Sequence, residues 1–348
     1  MNFEISGRKI GPGQPCYVIA EAGVNHNGDL ALAKRLVDVA VAAGADAVKF
    51  QTFQAELLAS AAAPKANYQK VTTESAESQL DMLKRLELSP AAHHALLPYC
   101  QERGILFLST PFEETSADFL GSLDVAAYKL PSGEITNLPF LAHVARKGRP
   151  LIISTGMSTL GEVETALQTV AAAGDPPVAL LHCVSNYPAD PAQTNLRAML
   201  TMHAAFGVPV GYSDHTPGIE VALAAVALGA CIIEKHFTLD KTLPGPDHQA
   251  SSEPAELQAL IRGIRKVEAS LGTGRKVPAR CEANTAGVGR KSLIAAADLP
   301  SGEVLTERSI AIKRPGNGLP PAARPYVVGR TLKVAVRAGE VLRLEMFV

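Results

Sequence analysis

Two segments place a histidine among acids and hydroxyls where an apolar run ends: "VGYSDHT" (residues 210–216) and "CIIEKHFT" (residues 231–238). If the two runs are neighbouring strands, His215 and His236 can ligate one divalent ion, with water or a substrate oxygen filling an open site. A single strand-end histidine is otherwise most often a hydrogen-bonded packing residue. Lysines interrupt two further apolar runs, Lys49 in "DAVKFQT" and Lys129 in "VAAYKLPSG", where a freely solvated lysine is not expected. Together with Thr110, Ser132, Ser154 and Ser213 they form a set of cations and hydroxyl donors suited to a phosphate or carboxylate. Glu21, Glu134, Asp214 and Asp247 are the candidates for general base work or for holding sugar hydroxyls.

These residues need a scaffold that brings many strand ends to one place. Eight short β-like runs alternate with longer amphipathic patterns: Cys16–Gly23, Asp46–Thr52, Ile105–Pro111, Val125–Gly133, Pro150–Gly156, Val178–Ser185, Pro209–Thr216 and Cys231–Thr238. Intervening segments such as "DLALAKRLVDVAVAAG" and "TLGEVETALQTVAAAG" read as helices closed by glycine. The count predicts an α/β chain with a (β/α)8 TIM barrel over residues 1–272, whose strand C-termini ring one mouth. An open doubly wound sheet fits less well, because "AEAGVNHNGD" after the first run has no G-x-G-x-x-G. Residues 273–290 lack apolar periodicity and read as a linker. Residues 291–348, with "KSLIAA", "IAIKRPG" and "TLKVAV" between turns, read as a small β-rich domain.

Bulk properties exclude several classes. Lysine plus arginine number 33 against 34 aspartates and glutamates, so no overall field favours nucleic acid or an anionic membrane. The five cysteines are odd in number and widely spaced, unlike a disulfide framework, and point to a reducing cytoplasm. The N-terminus has no apolar core for a signal peptide, and the most apolar stretch, Val221 to Ile233, is too short to span a bilayer. The adjacent His93 and His94 sit in a helical pattern and carry no assigned role.

Taken in order, "IAEAGVNHNGD", "AVKFQTF", "APKANYQ", "STPFEETSADFL", "YKLPSGE", "ISTGM", "LLHCVSNYP", "GYSDHT", "IEKHFTLD", "PGPDHQAS" and "KRPGNG" resemble the sialic acid synthase family along essentially the whole chain. The C-terminal segment resembles that family's antifreeze-like (SAF) domain. The resemblance implies condensation of phosphoenolpyruvate with an N-acetylated mannose-type sugar, and a domain-swapped homodimer. It implies His215 and His236 as ligands of a divalent metal, usually Mn2+, with Mg2+ or Co2+ as alternatives. Lys49, Thr110, Lys129, Ser132, Ser154 and Ser213 match its phosphoenolpyruvate site. Gln51, Glu134, Tyr187 and Asp247 match its sugar contacts, Arg314 of "KRPGNG" would reach the N-acyl end from the partner subunit, and Glu21 matches the acid near the reacting carbons. Lys49, Lys129, Glu21 and Glu134 are thus the expected catalytic residues.

The expected reaction is that of an N-acetylneuraminate synthase: phosphoenolpyruvate, N-acetylmannosamine and water give N-acetylneuraminate and phosphate. The alternative is an N,N'-diacetyllegionaminate synthase taking 2,4-diacetamido-2,4,6-trideoxymannose. More distant readings are an aldolase with Lys49 or Lys129 as a Schiff-base nucleophile and a non-catalytic sugar- or anion-binding protein.

Overall fold

The computed structural model describes residues 2–73 and 77–348. The chain divides into two compact units, Met1–Gly272 and Thr273–Val348. The first opens with an antiparallel hairpin, β1 (Phe3–Ile5) and β2 (Arg8–Ile10). Eight parallel strands follow: β3 (Tyr17–Gly23), β4 (Ala47–Thr52), β5 (Leu106–Pro111), β6 (Tyr128–Leu130), β7 (Leu151–Ser154), β8 (Val178–Cys183), β9 (Val210–Asp214) and β10 (Ile232–His236). They are laddered in the order β5-β4-β3-β10-β9-β8-β7-β6. β5 and β6 lie side by side, so the sheet curls into a nearly closed barrel. β6 is shorter than the run Val125–Gly133 suggests. Pro131, which has no N–H to donate, stands right after it, and a 3-10 turn over Ser132–Glu134 begins there.

Each strand is buried on both faces, and the period of two sorts its residues. Tyr17, Ile19, Ala47, Leu108, Ala127, Ile152, Ala179, Leu181 and Ile232 form a buried apolar cluster together with Ile5 and Ile10 of the hairpin. The hairpin, absent from the sequence expectation, therefore supplies apolar side chains to the barrel's lower interior. Two residues farther along the same faces stand Glu21, Lys49, Thr110, Lys129, Ser154, Cys183 and Glu234. Gly211 holds an inner position of β9 that no larger residue fits, since a Cβ there would lie 2.4 Å from the Ile232 carbonyl oxygen. The opposite faces, including Val18, Ala20, Val48, Phe50 and Ile153, pack against the surrounding helices in the main core.

The helices start and stop on local chemistry. Asp29 caps helix Leu30–Ala43 by accepting from the N–H groups of Ala31 and Leu32, and Gly44 closes it in the left-handed conformation. Thr159 and Glu162 form a reciprocal capping box at helix Leu160–Ala173. Among the described residues, no helix is long and apolar enough to cross a membrane.

In the second unit, β11 (Ser292–Ala295) pairs antiparallel with β12 (Ile310–Lys313) over a core of Leu293, Leu305, Ile310, Leu332, Leu342 and Phe347. The run "TLKVAV" makes isolated bridges rather than a strand. The segment read as a linker carries a short helix, Ala283–Gly289, and groups with this unit. Gly316 and Arg314 tie it down by donating to the carbonyls of Gly287 and Gly289.

Three histidines, His26, His93 and His248, are fully buried, and two of them in particular make the barrel sensitive to acid. His26 Nδ1 accepts the Gly28 N–H at 2.9 Å, and His248 Nδ1 is 2.6 Å from Thr238 Oγ1. Burial lowers both imidazoles to about 4. Once unfolded they bind protons from about pH 6.5. Between about pH 6.5 and 4 the unfolded chain thus carries more protons than the folded one, and stability falls as pH falls. His26 alone accounts for on the order of 3 kcal/mol across that window. Urea midpoints are expected to fall from pH 6.5 to 4.5, the histidines outweighing the opposite effect of Glu21, which is raised to about 7; replacing His26 should flatten that fall, and an unchanged slope would contradict this.

Candidate active site

The polar strand ends converge on one cavity of about 500 Å³ at the C-terminal mouth of the barrel. Four charged groups form its floor: Glu21, Lys49, Lys129 and Glu234, each 3 % exposed or less. Lys49 Nζ lies 2.6 Å from Glu21 Oε2 and 3.7 Å from Glu234 Oε2, and it donates to Thr110 Oγ1 at 2.8 Å. Lys129 Nζ lies 3.7 Å from Glu234 Oε1 and donates to Ser154 Oγ at 2.7 Å and to the Leu130 carbonyl at 3.1 Å. Ser213 Oγ donates to Glu234 Oε1 at 2.8 Å. Glu234 thus sits between the two lysines.

This arrangement separates the two carboxylates. Burial pushes Glu21 up to about 7 against the pull of Lys49, with Glu234 adding to the rise. Burial acts on Glu234 too, but Lys129, Lys49 and the Ser213 hydroxyl outweigh it and hold the carboxyl down at about 2. Burial opposes the charge on Lys49, yet Glu21 and Glu234 raise it; Lys129 is lowered because burial prevails there.

His215 and His236 stand at the rim with ring centroids 5.5 Å apart. His215 Nδ1 is 2.7 Å from the Val184 carbonyl, so Nδ1 carries the proton and donates, leaving the Nε2 lone pair for the cavity. His236 Nδ1 is buried without a hydrogen-bond partner, 4.0 Å from Asp247 Oδ2. Burial lowers both imidazoles and keeps them neutral, the form a cation needs. Among the described residues, no set of three His, Cys, Asp or Glu side chains surrounds a common point. An ion held by this pair therefore takes other ligands from water or substrate. Tyr187 packs against both rings, 4.2 Å from His215 and 5.5 Å from His236, and Tyr68 stacks on Tyr187 at 5.2 Å.

Most sequence-selected residues line this cavity: Glu21, Lys49, Gln51, Thr110, Lys129, Ser132, Ser154, Tyr187, Ser213, His215, His236 and Asp247. Glu134 does not, because its carboxylate turns to Asn137 Nδ2 at 2.7 Å in the turn after β6. Asp214 faces away from the cavity, since strand alternation sends it opposite to Ser213 and His215. Arg314 belongs to the second unit, where it is exposed.

Three features of the mouth carry no role in the sequence reading. Glu234 shares the inward face of β10 with His236, two residues on, and that spacing was the available signal. Tyr68 and Gln69 arrive on the short helix Asn67–Thr72. An apolar flank of Val24, Phe53, Met82 and Leu86, joined by Phe112, lines one side. Met82 and Leu86 reach it together because they are four apart on helix Gln79–Leu86.

A (β/α)8 barrel with a floor of two lysines and two carboxyls, a pair of neutral histidines at the rim and an apolar flank is the architecture of a barrel enzyme acting on a small polar substrate. The NeuB family model matches residues 36–276 and the SAF domain model residues 290–348. The N,N'-diacetyllegionaminic acid synthase of Legionella pneumophila is 48% identical, covering 99% of this chain and 98% of its own. That of Campylobacter jejuni is 47% identical over 94% and 98%. The crystal structure of the N-acetylneuraminic acid synthetase of Leptospira borgpetersenii superposes with a TM-score of 0.72 at 36% identity, covering 82% of this chain and 95% of that one. The chain belongs to the NeuB family of phosphoenolpyruvate-dependent sialic and legionaminic acid synthases, with a SAF domain at its C-terminus.

Ser132 Oγ meets Ser185 Oγ at 3.0 Å, and the space for that hydroxyl pair depends on Gly156. A Cβ at position 156 would lie 2.2 Å from Ser185 Oγ and 3.0 Å from Ser132 Oγ. Gly156→Ala is expected to displace both hydroxyls and to weaken phosphoenolpyruvate binding about tenfold, as for the loss of one good hydrogen bond. Isothermal titration of a folded variant showing wild-type affinity would remove the pair from the anion site.

Proposed function

We propose that the protein condenses phosphoenolpyruvate with 2,4-diacetamido-2,4,6-trideoxymannose and water, giving N,N'-diacetyllegionaminate and phosphate. This replaces N-acetylmannosamine, the acceptor expected from the sequence. The observation that carries the change is the apolar flank of the mouth. The proposed acceptor has three methyl groups, two on its acetamides and one at C6, whereas N-acetylmannosamine has one methyl and a hydroxymethyl. A methyl in an apolar pocket is worth about 1–3 kcal/mol, and a hydroxyl left unpaired there is disfavoured. The two relatives named for this product, at 47–48% identity, support the same choice. A 6-phosphorylated acceptor is disfavoured: among the described residues the only lysines or arginines lining the mouth are Lys49 and Lys129, and both are engaged with carboxylates on the floor.

Lys49 and Lys129, with Thr110, Ser132, Ser154 and Ser213, grip the phosphate and carboxylate of the enol phosphate. Glu234 stays ionised between the lysines and fixes their spacing. Gln51, Tyr187 and Asp247 hold the open-chain sugar, with its aldehyde at the histidine pair. His215 and His236 would hold a divalent ion, manganese being our reading, and it would supply Lewis-acid polarisation of that aldehyde. C3 of the enol phosphate attacks the aldehyde carbon: a carbon–carbon bond forms as the C2–C3 and carbonyl π bonds break, leaving an electron-poor C2 and an alkoxide that takes up a proton. Water then adds to the electron-poor C2, and Glu21, its carboxyl poised near neutrality, accepts the water's proton. The C2–O bond to phosphate breaks, and phosphate leaves with the bonding pair. Arg314 is kept as a contact to an N-acyl group from a partner subunit on the family resemblance alone.

Phosphate release should be measured with manganese and each of three acceptors: the diacetamido-trideoxymannose, N-acetylmannosamine and its 6-phosphate. The first is expected to have a kcat/KM at least about tenfold above the second, and chelator should stop release. Equal or faster turnover of N-acetylmannosamine would return the product to N-acetylneuraminate. Glu21→Gln is expected to lower kcat by about 100-fold or more with little change in phosphoenolpyruvate affinity; near-normal turnover would remove Glu21 as the base.

A further inference from the structure

Strands β9 and β10 carry the two rim histidines, and the residues between the cavity-facing positions form a second charged pair on the other side of the sheet. Along β9 and its end, Ser213 and His215 line the cavity; along β10, Glu234 and His236 do. Asp214 and Lys235 alternate with them, face the helical layer and are register partners across the ladder. Lys235 Nζ lies 2.8 Å from Asp214 Oδ2, and it also donates to the Thr216 carbonyl. Asp214 Oδ1 accepts the Thr216 N–H at 2.9 Å and the Thr216 hydroxyl at 2.7 Å. Both charged side chains are 2 % exposed or less.

A fully buried ion pair is weak support for stability, because apolar residues of similar volume often replace one at no loss. Apolar residues cannot reproduce its directionality. The contacts join three points: Asp214 before His215, Thr216 after it, and Lys235 before His236. The chain on both sides of one imidazole is thus tied to the chain leading into the other. Neither residue lines the cavity.

We infer that Asp214 and Lys235 are positioning residues that set the spacing and direction of the His215 and His236 imidazoles, and so the affinity of the rim for a divalent ion. The inference rests on the reading of that histidine pair as the cation site. Groups that orient metal ligands from behind typically change metal affinity by about 10- to 100-fold when removed.

The test compares full-length wild type with Asp214→Asn, Lys235→Met and the double variant, reading manganese affinity by titration calorimetry and thermal stability separately. Each single change leaves one buried charge unpaired and is expected to lower Tm. The double change removes both charges, so Tm should recover towards wild type. Manganese affinity should not recover and should stay about tenfold or more below wild type, while phosphoenolpyruvate affinity without metal, set by Lys49 and Lys129, stays within about twofold. A double variant that binds manganese as wild type does would reduce the pair to a structural contact. Thr216→Val keeps the ion pair and removes only the hydroxyl on Asp214, which covers a double variant that does not fold. It is expected to weaken manganese binding by about threefold or more, and unchanged affinity overturns the inference. Failure of the wild type itself to bind manganese would instead remove the cation site, and this inference with it.

Discussion

The rest of the structure depends on four charges buried at one end of an apolar tube. Glu21, Lys49, Lys129 and Glu234 are withdrawn from water, and each isolated charge would cost several kcal/mol there. They are tolerated because each carboxylate faces an ammonium and hydroxyls from Thr110, Ser154 and Ser213 complete the set. Such a balance holds only if the strands carrying these groups keep their register to within a fraction of a residue. The closed barrel supplies that rigidity, since a slip by one residue in any strand would turn its charged residue outward. The same balance suits an anionic ligand. Glu21, raised to about 7 chiefly by burial, is the floor carboxyl able to take up and release a proton near neutrality.

Below the floor the tube is filled rather than open. Hairpin β1–β2 contributes Ile5 and Ile10 to the cluster of inward residues from the strands, and Gly211 leaves the room that Leu181 and Ile232 occupy. A dry lower interior keeps the dielectric low around the four charges, which strengthens their mutual interactions and their hold on a ligand. Above the floor the chemistry divides between a histidine rim braced by Tyr187 and an apolar flank built from residues just after β3, β4 and β5 and from helix Gln79–Leu86. The floor is set by the barrel strands, and part of the flank by a helix outside the strand–helix alternation.

Several sequence expectations met the structure closely, and the departures share a cause. All eight barrel strands lie within the runs read from apolar patterning, and twelve cavity residues were selected in advance. Asp214 and Glu234 were both visible as strand-end acids, but Asp214, read as a candidate base or sugar contact, sits behind the sheet, whereas Glu234, given no role, sits on the floor. The period of two was available, but which parity faces inward follows from curvature and closure rather than from composition. Glu134 was drawn away by a neighbour three residues on, Asn137, whose amide captures its carboxylate. The apolar flank was missed because Met82 and Leu86 read as an ordinary buried helical stripe, which in a helix lying over a mouth is also a pocket wall.

The sequence by itself determined the barrel, the second β-containing segment and the chemical inventory of the mouth, because β/α alternation and polar strand ends are local patterns written at fixed spacing. It also determined the family, through motifs spread along the whole chain. Only the tertiary structure decided which acids meet which lysines, that the two histidines line one cavity, and that an apolar flank lines it too. Those are relations between residues as far as two hundred positions apart, such as Glu21 and Glu234 on either side of Lys49. Strand register and ring closure bring them within a few ångströms, and no local pattern encodes that distance.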